Sequence, residues 1–362
     1  MINKRMNETL ITKEKIMRIS FPPHLKLSNT PTQIKKLETI SKELNKDVYI
    51  WRDDLTGCFE SGNKVRRLEF LLQDALQQNC DWILTCGAPQ SNHMRVSAVL
   101  ARQLGLGITL ITTDPNPKEF ETKSSTGNFL INQILGAEIK FINTQEFIKA
   151  ERNFNPFLKV EGELLKKEGK KPYLIPVGGS CPLGCFGYIK GIEEMISSWK
   201  ELEPKSPYPS SIFCAVGSGG THAGMFLGTE LYHLQTKIFG VIVNRNKEYF
   251  EKVVMTLVKK TSEEYHLPIE ADFSKKIHIL DGYLGDGYGL TTDNDLRFYS
   301  DLAQKEGIIL DPCYTGKAFK GMISELKQSP EKYGEKILFL HSGGAFGLFG
   351  YQEQFFKALK KS

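Results

Sequence analysis

The feature that most constrains this chain's fold is a rhythm. From residue 80 onward, short β-branched or apolar runs alternate with longer segments of helical periodicity: 82–85 then 94–104, 108–112 then 129–135. The pattern resumes at 173–177, 212–216, 239–243 and 336–340, each run followed by a helical stretch. A period of two that switches to 3.6 marks repeated βα units. The expected fold class is therefore α/β, with mostly parallel sheets flanked by helices.

With 362 residues the chain exceeds the roughly 250–300 at which single cores stop growing, so two domains with a cleft between them are expected. Basic residues number 47 against 42 acidic, a net +5. No basic block or repeating aromatic-basic pattern accompanies that charge, so neither nucleic acid nor a membrane surface is an expected partner. The first ten residues carry charge but no apolar core followed by a cleavage site, and no run approaches about 18 apolar residues. A soluble cytoplasmic protein is the expectation. Seven cysteines form an odd set, several of them in apolar runs, which suits reduced thiols. Cys181 and Cys185 stand four apart, but no second Cys/His pair completes a metal set, so no metal site is expected. Charged, loosely periodic residues 144–172 read as exposed helices over one sheet, and the proline-dense 203–209 as a surface connection.

Several segments carry chemistry. Ser-Gly-Asn-Lys at 61–64 sets Lys64 between a glycine-containing turn and an apolar helix, a position suited to holding a carbonyl cofactor as a Schiff base. Taken alone, such a lysine is weak evidence, since most such side chains are solvated surface charge. Gly217-Ser-Gly-Gly-Thr221 follows an apolar run and precedes a helical one. Glycines let successive N–H groups turn inward, and the helix N-terminus adds positive potential, so Gly217, Ser218, Gly219, Gly220 and Thr221 suit a phosphate. A plain glycine-rich turn closing a βα unit is the alternative. Glycine intervals there do not match the nicotinamide fingerprint, and Glu230 is too near to act as its ribose-binding acid.

Gln90, Ser91, Asn92 and His93 crowd four polar side chains onto one strand-to-helix turn, more than one helix cap requires. Tyr288 and Tyr314 lie in glycine-containing segments at 282–290 and 309–318, where a phenol approaches a ligand closely or packs over a loop. His341 and Ser342 follow the run at 336–340 in another glycine turn.

In this order and spacing, the segments resemble the fold-type II, tryptophan synthase β-like, pyridoxal-phosphate enzymes of the D-cysteine desulfhydrase and 1-aminocyclopropane-1-carboxylate deaminase family. The resemblance spans roughly residues 45–352. It implies pyridoxal 5'-phosphate on Lys64, Asn92 at the cofactor's phenolic oxygen and the 217–221 loop at its phosphate. Gly179-Ser-Cys-Pro-Leu-Gly184 departs from the family's Gly-Ser-Asn-Pro-Leu-Gly at one position. The architecture implied is a larger cofactor-binding domain, 1–66 and 179–362, with a smaller α/β domain, 67–178, inserted. A homodimer is implied as well.

Within the resemblance, Thr315 is the residue facing the pyridine nitrogen, where the deaminases carry glutamate. Ser342 stands where the deaminases have leucine and the desulfhydrases a hydroxyl residue. Both point away from cyclopropane opening and toward α,β-elimination, with D-cysteine giving pyruvate, hydrogen sulfide and ammonia. In that scheme Lys64 is the base. Ser91 and Asn92, with Gln90 and His93 beside them, bind the substrate, while Tyr288 and Tyr314 shape the leaving-group side. The alternatives are the cyclopropane deaminase itself and a protein that binds cofactor or amino acid without turnover.

Overall fold

The computed structural model describes residues 19–114, 126–206 and 208–360. Among them run ten strands: β1 (Ile34–Lys36), β2 (Asp47–Trp51), β3 (Trp82–Cys86), β4 (Gly107–Thr113), β5 (Glu138–Ile142), β6 (Pro172–Leu174), β7 (Ser211–Val216), β8 (Lys237–Ile242), β9 (His278–Leu280) and β10 (Lys336–Leu340). They form a six-stranded sheet, β1-β2-β10-β7-β8-β9, and a four-stranded sheet, β5-β4-β3-β6. Every pairing is parallel except the edge pair β1–β2.

Alternation along the strands sorts the larger sheet's two cores. Tyr49, Trp51, Ile212, Cys214, Leu338 and Leu340 face the first, packing on Trp199, Phe186 and Ile192. Val48, Ile50, Phe213, Ile337 and Phe339 face the second, packing on Phe319, Met322 and Leu326. Both faces are buried, which is why these strands read as nearly continuous apolar runs.

The helices that place the site are α1 (Asn63–Gln77), α2 (Asn92–Gln103), α3 (Gly127–Ile134), α4 (Pro182–Leu202), α5 (Gly220–Leu231), α6 (Lys247–Glu264) and α7 (Thr315–Gln328). Ten of the fifteen residues of α1 are buried. Val65, Leu68, Leu71, Leu72 and Ala75 recur at helical spacing and join the core beneath the smaller sheet, whereas Phe70 packs with Phe186 against the larger one. Positions 66 and 67, the junction expected between the two domains, fall inside this one continuous helix.

Most of the expected runs appear as elements with slightly shifted ends. The run at 173–177 pairs only through Leu174 and then enters a short 3-10 turn, Val177–Gly179. Pro176 has no N–H to give a ladder, so pairing cannot continue through it. Two strands of the larger sheet, β1 and β2, precede the first run assigned from the sequence. All seven cysteines are free thiols. Among the described residues no helix is long and apolar enough to cross a membrane.

Candidate active site

A cavity of about 810 Å³ opens at the C-terminal ends of β3, β7 and β10, lined by the turns that follow them. Ligands of parallel α/β sheets bind at this edge because strand ends and helix N-termini converge there. Lys64, Ser91, Asn92, His93, Gly217, Ser218, Gly219, Thr221, Tyr288, Tyr314 and Ser342 all lie on its wall.

Lys64 projects from the first turn of α1. The turn before it depends on Gly62, whose φ is +108° and whose added Cβ would stand 2.9 Å from the Ser342 carbonyl. That same carbonyl accepts from Asn63 N–H at 3.0 Å, so the loop after β10 fixes where α1 begins. The Lys64 amine reaches the far side of the cavity floor, where a Cβ on Gly178 would lie 3.2 Å from Nζ and collide with Ser218 Oγ. Burial, and secondarily the nearby Arg67 charge, hold the Lys64 pKa well below 10.5. Among the described residues the amine has no carboxylate partner, so nothing there offsets the lowering that favours its neutral, nucleophilic form.

Arg67 follows one helical turn later on the same face of α1. Its guanidinium donates to the Gly178 carbonyl at 2.5 Å, to Ser180 Oγ at 3.1 Å and to the Thr221 hydroxyl. Asn63 Nδ2 donates to Thr221 as well, at 2.9 Å. Nε of Arg67 has no partner, and no carboxylate pairs with this 1% exposed cation among the described residues. Beside it, Gly219 begins α5 with φ +83° and no side-chain cap, leaving first-turn N–H groups without intrahelical partners. A Cβ on Gly220 would press on Ser180 Oγ at 2.7 Å and on the Arg67 guanidinium at 3.1 Å. A buried unpaired cation, an uncapped helix N-terminus and a cradle that tolerates no side chain together fit a phosphate dianion, and Lys64 fits the aldehyde such a molecule would bear.

The opposite wall is the α2 turn. Ser91 caps α2, its Oγ accepting from Met94 N–H at 3.4 Å. Asn128 Nδ2 donates to Asn92 Oδ1 at 2.9 Å, which turns the Asn92 NH₂ group into a donor for the cavity. Thr85 donates its hydroxyl proton to the Ile175 carbonyl, so His93 Nε2 must carry a hydrogen to bond Thr85 Oγ1 at 2.8 Å. His93 Nδ1 is then a bare acceptor with no partner, and burial keeps the ring neutral by holding its pKa well below 6.5. On the third side the hydroxyls of Tyr288 and Tyr314 bond each other, with ring centroids 5.8 Å apart in an edge-on arrangement. Desolvation of the hydroxyls and the adjacent Cys313 push both phenols well above 10, although Tyr288 as a whole residue is 38% exposed.

Three of the expected site residues stand off the wall. Gln90 is turned toward α3: Nε2 donates to the Thr126 carbonyl and Oε1 accepts from Asn128 N–H at 3.0 Å. Its amide thus holds the start of α3, including Asn128, the residue that orients Asn92. Gly220 sits one layer behind, its N–H 3.3 Å from Ser180 Oγ. Thr315 is fully buried, its hydroxyl donating to Asp311 Oδ1 at 2.6 Å and accepting from Asp311 N–H at 2.9 Å. The sequence reading missed Arg67, Ser180 and Asn63 as residues that gather at the 217–221 loop. Only the three-residue interval from Lys64 to Arg67 signalled that the two share a helix face.

Residues 25–343 match the family described as "Pyridoxal-phosphate dependent enzyme". The chain is 35% identical over 329 residues to the D-cysteine desulfhydrase of Salmonella typhi, covering 91% of this chain and 96% of the relative. A Pyrococcus abyssi relative named for 1-aminocyclopropane-1-carboxylate deaminase is 37% identical over 340 residues, 93% and 96% of the two chains. A solved structure titled as that of "the ACC deaminase homologue" superposes with TM-score 0.81 at 35% identity, covering 93% and 96%. Threonine deaminase isoform 2 of Solanum lycopersicum shares the fold, with TM-score 0.61 at 16% identity over 93% of this chain and 85% of that one. The fold and site define a fold-type II α/β enzyme that uses pyridoxal phosphate. The chain belongs to the D-cysteine desulfhydrase and 1-aminocyclopropane-1-carboxylate deaminase family of these enzymes.

Proposed function

We propose that this enzyme eliminates the β-substituent of a small amino acid, with D-cysteine and water giving pyruvate, hydrogen sulfide and ammonia. Arg67, Thr221 and the N–H groups of the 217–221 loop hold the cofactor phosphate, Asn92 faces its phenolic oxygen, and Lys64 anchors its aldehyde carbon. When bound, pyridoxal phosphate supplies the electron sink that makes the substrate's Cα–H acidic. Lys64 Nζ, its pKa lowered by burial, takes the Cα proton as general base. The Ser91 hydroxyl and the Asn92 amide orient the substrate carboxylate. The hydroxyl pair of Tyr288 and Tyr314 borders the space for the departing thiolate; their raised pKa values keep both phenols protonated, one proton bridging the pair and the other free to donate to that sulfur.

One observation carries the choice of elimination over cyclopropane opening. The single carboxylate on the described cavity wall is Glu151, in the stretch that follows β5; Asp311, the carboxylate beside Tyr314, lies off the wall with its oxygens bonded to the Cys313, Tyr314 and Thr315 N–H groups and the Thr315 hydroxyl. Without a carboxylate to keep the ring nitrogen protonated, the sink is weaker, and a weaker sink suffices when the leaving group is a thiolate. The relative named for the cyclopropane deaminase supports the competing reading. Pyruvate release from D-cysteine, L-cysteine, D-serine derivatives and 1-aminocyclopropane-1-carboxylate separates the two. Turnover of the cyclopropane alone would overturn the proposal, and bound amino acid with no product from any of the panel would make the protein a binder.

A further inference from the structure

We propose that Lys317 is a positioning residue for the tyrosine wall, its ammonium stapling the glycine-rich segment 282–290 to the start of α7 and so fixing Tyr288 against Tyr314. The proposal rests on the reading above that these two phenols border the leaving group.

The segment that carries Tyr288 has little of its own to hold it. Gly282, Gly285, Gly287 and Gly289 adopt φ of +89°, +64°, +146° and +71°, and no strand or helix runs between β9 and Asp293. Glycines of this kind give the unbound chain many conformations to lose. Lys317 Nζ donates to the Leu284 carbonyl and to the Gly287 carbonyl, each at 2.6 Å. The two acceptors bracket Gly285 and Asp286, and the second adjoins Tyr288. Tyr351 adds one bond beyond it, to the Gly289 carbonyl at 2.8 Å.

The ammonium is not placed for charge pairing. Lys317 is 4% exposed, and no carboxylate reaches ion-pair distance among the described residues; Asp286, Asp295 and Asp311 act on it only from further away. An apolar side chain would fill the same volume without desolvating a charge. What the ammonium adds is geometry. Lys317 lies three residues after Tyr314 on the same helical turn, so one rigid element delivers Tyr314 directly and Tyr288 through the staple. A misplacement of about 1 Å in such a constellation costs on the order of a hundredfold in rate.

Hydrogen exchange read by mass spectrometry, with and without cofactor, tests the staple, and steady-state kinetics on D-cysteine test its consequence. For Lys317→Met, amides of 282–290 should exchange at least about tenfold faster while α1, α5 and the sheets stay as in the parent. Turnover should fall about ten- to a hundredfold with KM within about twofold, the split expected when only a transition-state contact is disturbed. Lys317→Arg, which keeps the donors, should restore both. Exchange at 282–290 equal to the parent, faster exchange spread across α7 and the sheets, or failure of Lys317→Arg to restore would each overturn the proposal. If Lys317→Met does not fold, Lys317→Gln, with one amide donor group left, is read by the same criteria. A parent enzyme inert on every substrate would sink the proposed function, whereas the exchange result judges the staple independently.

Discussion

The Thr315 hydroxyl gives its proton to Asp311 Oδ1 at 2.6 Å, so the residue that family resemblance sets against the cofactor's ring nitrogen is bonded into the protein instead of facing the cavity. Asp311 also accepts from Cys313, Tyr314 and Thr315 N–H at 3.0, 2.8 and 2.9 Å, acting as the cap of α7, while burial raises its pKa. Thr315→Val keeps the volume and removes the hydroxyl, leaving buried Asp311 groups unsatisfied. A stability loss of about 1–3 kcal/mol in denaturant titration is expected. Thr315→Glu would force a second carboxylate against Asp311. Loss of pyruvate formation from D-cysteine, with a destabilisation above about 3 kcal/mol, is the expected result. Unchanged rates in the glutamate variant would show that the Thr315–Asp311 contact does not matter for turnover.

Lys64 makes a pH-dependent prediction for the cofactor-free protein. Its folded pKa lies well below the unfolded 10.5, so between those two values the unfolded chain binds more protons and stability rises with pH. Lys64→Ala removes that linkage. The variant should be more stable than the parent near neutral pH, with the gap closing as pH climbs toward 10.5. It should also lose both turnover and the visible absorbance of lysine-bound cofactor. A difference in stability that is flat with pH would contradict the buried, depressed amine.

Arg67 is expected to govern cofactor affinity. Charge-assisted hydrogen bonds contribute about 1.5–3 kcal/mol, so Arg67→Met should raise the Kd for pyridoxal phosphate roughly ten- to a hundredfold, measured by absorbance titration. Because the guanidinium has no described carboxylate partner, removing it leaves no orphaned acid, and the fold without cofactor should be retained. Unaltered affinity would move the phosphate away from Arg67.

Gly178 tests the closeness of the cavity floor. Its φ is +67°, and an added Cβ would enter the space of Ser218 Oγ and lie 3.2 Å from Lys64 Nζ. Gly178→Ala should cost about 1–2 kcal/mol from the left-handed backbone alone. It should further weaken cofactor binding by displacing Ser218. Wild-type affinity and turnover in this variant would mean that the floor yields without consequence.

The order of βα units, the lysine turn and the glycine loop were legible from the chain alone, because strand and helix periodicity and the glycine requirement of close approach are local. Gln90 shows where that legibility stops. Its place in a polar turn at a strand end carries the same signal as that of Asn92, yet its amide turns to α3 and only Asn92 faces the cavity. Arg66 and Arg67 are neighbours of one type, yet one pairs with Asp53 and Glu194 in the core and the other stands without a described carboxylate beside the 217–221 loop. The partners of Gln90 and the Glu194 partner of Arg66 lie more than thirty positions away, and Asp53 is 13 away.

The sequence by itself determined the α/β class and which residue types meet at the strand ends, since hydrophobic period and backbone freedom act within a few residues. Only the tertiary structure decided which of those side chains point inward, which are bonded away, and that Lys64 sits desolvated beside an unpaired guanidinium. Those properties come from burial and from partners supplied by distant segments, and no local pattern encodes the direction in which a helix face is turned.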